Sequence, residues 1–113
     1  MSLPTTRIPQ PSRQLAKWMV HDDAPVREAA MKGLVAHGAI AEAEVLKYLN
    51  HPSANVRGNA CLVLAEIGTQ QSVRPLMSAV SKSKDRLTIN AARQALQTVQ
   101  FRMKNSKVEK QLP

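Results

Sequence analysis

Apolar residues in this chain recur at helical rather than strand spacing, and the helices they predict fall into repeating pairs. Over about 11–20, Leu15, Trp18 and Met19 make the stripe of a short helix, with Pro11 suited to its first turn. HDDAP predicts a turn in which Asp23 caps a longer helix over about 24–37, striped by Val26, Ala30 and Leu34 and closed by Gly38. A second short helix, about 40–49, offers Val45, Leu46 and Leu49. HPSAN is the next turn, with Ser53 as cap, and the helix running to Ile67 buries Val56, Ala60, Val63, Leu64 and Ile67. Gly68 ends it and is expected in the left-handed conformation. The next helix covers about 71–81. Pro75 fits only a first turn, so a start nearer Ser72 or Val73 is expected. SKSKD leads into a last helix over about 86–101, on Ile89, Ala92, Leu96 and Val99. No run alternates apolar and polar as a strand would, so the fold class is all-α.

The helices repeat. Val26-Arg27, Ala30, Leu34 and Gly38 recur 30 residues on as Val56-Arg57, Ala60, Leu64 and Gly68. A third copy, Thr88, Ala92, Leu96 and Gln100, lies 32 residues further. Leu15, Leu46 and Leu76 mark the short helices at the same period. One helix pair has too little apolar area to stand alone, so about three pairs are expected to stack into an α-α superhelix, a solenoid. The chain then divides into an extended leader (1–11), the repeat domain (12–101) and a basic tail (102–113) that has no stripe and is expected to be disordered.

These segments resemble HEAT-type repeats, in particular the short units of bacterial and phycobilisome-lyase-related proteins. The family pattern is roughly Asp-x-x-x-Val-Arg-x-x-Ala-x-x-Ala-Leu followed by Ile-Gly. Asp22, Val26, Arg27, Ala30, Leu34 and Gly38 match it once, and Val56, Arg57, Ala60, Leu64, Ile67 and Gly68 match it again. The third unit departs, with Thr88-Ile89 for Val-Arg and Gln100 for glycine, which suits a terminal cap or an excerpt from a longer array. The resemblance implies a right-handed HEAT-like solenoid and a structural inter-repeat role for Arg27 and Arg57, with Asp22, Asp23 and Asp85 as the acidic turn residues available to them; direct ligand binding by the two arginines is the alternative. One enzyme branch of the superfamily holds two irons with His-Glu pairs; no His-Glu dipeptide occurs here.

Composition narrows the core more than the function. Hydrophobic residues are 43% of the chain but aromatics only 3%, so the core rests on Leu, Val, Ile, Met and Ala. The net charge of +8 gathers toward the two ends, while 22–50 is net acidic. That favours acidic partners without choosing among protein, nucleic acid and anionic membrane. No apolar run is long enough to span a bilayer, and 1–11 lacks the hydrophobic run of a signal peptide. Cys61, the single cysteine, points to a reducing, cytoplasmic setting and reads as a small core residue.

The candidate partner-binding face is that of the short helices. Their alignment places Arg13, Glu44 and Arg74 in one ladder and Lys17, Tyr48 and Ser78 in another, with Lys47 and Lys82 adding to a basic character. Tyr48 is a candidate anchor. Trp18 either covers the first helix pair or marks an exposed contact with another chain. His21, His37 and His51 sit at helix ends without the i, i+4 spacing of a zinc helix, and no Gly-rich phosphate loop is present. The expected function is therefore non-catalytic protein binding, needing no cofactor or metal, with self-association through the open ends as a further route. The competing class is nucleic-acid binding through phosphate contacts. Against it stand the interruptions by Glu42 and Glu44 and the lack of an aromatic platform.

Overall fold

A computed structural model describes the backbone of residues 11–111 and the side chains of residues 11–106. Residues 1–10 of the expected leader (1–11) and the last two residues lie outside the described part. Among the described residues the elements are all helical: α1 (Ser12–Trp18), α2 (Ala24–His37), α3 (Glu42–Leu46), α4 (Ala54–Ile67), α5 (Gln70–Lys82) and α6 (Arg86–Gln111). Two 3-10 turns, Gly38–Ala41 and Lys47–Asn50, flank α3. Each short helix packs on the longer one that follows it, giving the pairs α1·α2, α3·α4 and α5·α6. Contacts of α3 with α1 and α5, and of α4 with α2 and α6, arrange these pairs into two layers.

The core lies between the layers, where the repeated stripes meet. Ala30, Leu34, Ala60, Leu64, Ala92 and Val99 are buried from the long helices, and Leu15, Met19, Val45, Leu49 and Leu76 from the short ones. Alanine at the repeated position lets the helices approach closely, while leucine four residues later fills the space between them. Cys61 is fully buried in the same cluster, and burial pushes its thiol up to about 11. Trp18 is only partly covered, at 38% exposure.

Three local expectations give way. Gly68 is extended, at φ −63° and ψ 143°, rather than left-handed. Its lack of a side chain matters for space: a Cβ there would stand 2.6 Å from the Leu64 carbonyl oxygen and 2.8 Å from Val99 Cγ2. Gly38 is the glycine with positive φ, at 69°. Helix α5 starts at Gln70, so Pro75 falls inside it rather than in its first turn. The start is fixed from outside, by a carboxylate from α3 described below. The Gln71 carbonyl that Pro75 leaves without a helical donor belongs to an exposed residue, where water can reach it. Finally, α6 passes Phe101 and continues to Gln111. Arg102 ties its far half to the body, donating from Nη1 to the Ala65 carbonyl (2.8 Å) and from Nη2 to that of Gly68 (2.7 Å).

Candidate interaction surfaces

The two Val-Arg copies begin α2 and α4 in the same way. Arg27 Nη1 donates to the carbonyls of His21 and Asp22, both at 2.9 Å. Arg57 Nη1 donates to those of His51 and Pro52, at 2.6 and 2.9 Å. Each arginine thereby fixes the turn that precedes its own helix. The histidines repeat as well: His21 Nδ1 accepts from the Asp23 N–H (2.9 Å), and His51 Nδ1 from the Ser53 N–H (3.0 Å). At the caps, Ser53 Oγ accepts from the Val56 N–H, whereas Asp23 sits at the cap position without a side-chain bond.

Beyond the turn the two arginines differ. Arg57 also reaches into the next unit, with Nε on Thr88 Oγ1 (3.0 Å) and Nη2 on Asp85 Oδ1 (2.8 Å). The Asp85 carboxyl is held down at about 2, first by the hydroxyl and N–H of Thr88 and then by the Arg57 guanidinium. Counting from the helix starts, Ser53 and Val56 stand before Arg27 where Asp85 and Thr88 stand before Arg57. Among the described residues Arg27 makes no bond to another unit. Asp22 contributes its carbonyl, and the carboxylates of Asp22 and Asp23 take no arginine.

A second link between units comes from a residue that sequence reasoning treated as a surface acid. Glu42, only 2% exposed, accepts from the Thr69 N–H (2.8 Å), the Thr69 hydroxyl (2.7 Å) and the Ser72 hydroxyl. A carboxylate with three donors at the start of α5 caps that helix and answers its dipole. The signal available in the sequence was the spacing, since Ser72 lies 30 residues, one repeat, after Glu42. Thr88 was legible only as a departure from valine, and Arg102 only as part of a basic tail.

On the short-helix face Arg13, Lys17, Lys47, Arg74 and Lys82 are all exposed. Glu44 is half-buried and pairs with Lys47 at 3.2 Å. Tyr48 is drawn partly into the core and stacks on His51, with ring centroids 6.2 Å apart. Ser78 and Lys82 share a cleft of about 360 Å³ with His51, Arg57 and Pro75. The long-helix side carries a larger cleft, about 630 Å³, running from Arg27 across α4 to Leu87 and Ala91. Several large apolar side chains are exposed on that side, among them Val35, Leu62 and Leu87.

No helix among the described residues is long and apolar enough to cross a membrane, and no group of three or more His, Cys, Asp or Glu among them could hold a metal ion. A scan against protein families matches HEAT repeats over residues 12–97. Neither the curated proteins nor the solved structures gave a significant match.

Proposed function

The chain belongs to the HEAT-repeat family, and on that premise we propose that it is a non-catalytic protein-binding module. In this reading it is a right-handed solenoid of about three helix pairs, of the short phycobilisome-lyase-related type, working in the cytoplasm as an adaptor. It holds an acidic partner on its short-helix face.

The observation that carries the reading is how the polar side chains are spent. Arg57, Arg102 and Glu42 bind the units to one another, and His21, His37 and His51 each commit a ring nitrogen to a local or inter-helix bond. Among the described residues, the exposed cations of α1, of α5 and of the turn after α3 have no such task, apart from the Lys47–Glu44 pair. Unspent charge of one sign on one layer raises the encounter rate with an acidic surface and fixes its orientation. The cleft beside Ser78 and Lys82 gives that surface a place to seat a side chain.

The same cations could contact phosphates, so nucleic acid is the competitor to be tested. Fluorescence anisotropy with a glutamate-rich peptide and with random-sequence duplex DNA separates the two. The expected result is peptide binding that is lost when Arg13, Arg74 and Lys82 are changed together to glutamate, with no DNA binding at low salt. Micromolar DNA binding that falls steeply with salt overturns the reading.

A further inference from the structure

Among the described residues the clearest unanswered group is Arg27, because the chain itself shows what its counterpart binds. Arg57 uses Nη1 on its own turn and turns Nε and Nη2 outward onto Thr88 and Asp85. Arg27 uses Nη1 in the same way. Its Nε and Nη2 have no partner among the described residues, since Ser53 is too short and Val56 too apolar to take the places of Asp85 and Thr88. In place of that carboxylate lies the larger cleft, about 630 Å³, whose lining joins Arg27 and His21 to Asn59, Leu62, Leu87 and Ala91. We propose that this cleft accepts an aspartate or glutamate carboxylate of a partner protein on Nε and Nη2 of Arg27, as Asp85 is held by Arg57.

The lining also says how that carboxylate must arrive. Asp22 lines the cleft itself and Asp23 and Glu28 lie close in sequence to Arg27, so the local field admits a single carboxylate on the arginine fork but does not gather free anions, and a dianionic phosphate meets repulsion. Leu62 and Leu87 are both about half exposed at the far end of the cleft, at 57% and 49%. A carboxylate carried on a segment with a neighbouring aliphatic residue satisfies both ends: the apolar contact supplies attraction, and the planar fork of the arginine fixes the acid in register. The partner is thus a peptide segment with a single aspartate or glutamate and an adjacent leucine-like residue, docking on the long-helix side. This rests on the reading of the chain as a protein-binding module, but not on the face named for it.

The test uses the full chain, with the Nε–H resonances of Arg27 and Arg57 followed by NMR. The probes are a capped, leucine-flanked tetrapeptide with one aspartate, its asparagine counterpart, and inorganic phosphate. The aspartate peptide is expected to move the Arg27 signal saturably and to leave Arg57 in place, with the asparagine peptide weaker by about tenfold or more, as loss of a charge-assisted fork implies. The double variant Ser53→Asp/Val56→Thr rebuilds the pair that Arg57 enjoys and keeps a good cap on α4, so it folds while losing the peptide response. An Arg27 signal that ignores the peptide, answers phosphate equally, or still responds in the double variant overturns the proposal. If the glutamate-rich peptide continues to bind the short-helix face while this fails, only the Arg27 site falls.

Discussion

The junction between α2 and α4 and that between α4 and α6 are built from the same repeated residues, yet they are joined to different degrees. At the second, Arg57 spans to Asp85 and Thr88, Arg102 closes the carbonyl end of α4, and Val99 packs directly against Gly68. At the first, Arg27 stops at its own turn, and a cleft remains where the acceptors would be. The repeated arginine is a donor waiting for whatever the next unit supplies. The consensus positions settle the turn, and the residues at the cap and at the third position of the following long helix settle whether the units are tied. Long-range bonds of this kind add little individually, but each is made between groups already ordered by the helices, so little further entropy is lost.

The largest expected difference lies at the two closing glycines. Gly68→Ala forces a methyl against the Leu64 carbonyl and Val99, and overpacking against backbone that cannot swing away should cost about 3 kcal/mol. Gly38→Ala meets nothing within 4 Å and carries only the strain of a positive φ, about 1–2 kcal/mol. Urea unfolding of both variants checks this. Equal costs would break the contrast between a tight junction and an open one.

The arginines come next. Arg57→Ala removes two bonds to its turn and two to the next unit, and should cost about 2 kcal/mol after allowance for partial exposure. Arg27→Ala removes the turn bonds alone and should cost about 1 kcal/mol. The excess for Arg57 should vanish when both variants are made in an Asp85→Asn/Thr88→Val background. If it persists there, the bonds to the next unit are not its source.

How much of this was legible in the sequence follows the physics of each signal. Ala60, Leu64 and Ile67 declare themselves because burial of a helix stripe is a periodic property, and the period survives from unit to unit. Ser53 as a cap is likewise local, readable from its place before the apolar run. The burial of Glu42 was legible only through its one-repeat spacing to Ser72, because an isolated glutamate predicts exposure and only its pairing with Thr69 and Ser72 makes burial tolerable. Gly68 looked like Gly38 since both follow a long helix. One is needed for its dihedral and the other for the space it leaves, and the sequence does not separate those reasons. The contrast between Arg27 and Arg57 was hidden for the same cause: it lives in the acceptors of a neighbouring unit, outside the motif itself.

Acid separates the junctions in a different way. The Asp85 carboxyl sits at about 2 in the folded chain against an ordinary 3.8, so its contribution is complete above about pH 4 and disappears as pH falls toward 2. The sign is fixed by the lowered value: the unfolded chain takes the proton first. Stability measured by urea midpoint should therefore drop between pH 4 and 2, and Asp85→Asn should be weaker at neutral pH but flatter across that window. An undiminished slope in the variant would place the acid sensitivity elsewhere.

The smallest effect is the most direct test of what distinguishes the two junctions. Ser53→Asp/Val56→Thr gives Arg27 the acceptors that Arg57 already has, and it keeps a capping side chain at the start of α4. The gain should stay below about 1 kcal/mol, because the new pair is partly exposed and must order two side chains that water now serves. Val56, only 6% exposed, sets a cost against that gain, since a hydroxyl replaces a methyl in the core unless Arg27 Nε takes it up. The sign therefore reports geometry. Val56→Thr alone should destabilise, and adding Ser53→Asp should recover more than that loss, a coupling a double-mutant cycle reads directly. Additive costs would mean that Arg27 does not point where its repeat counterpart does, and the likeness between the two junctions would end at the turn.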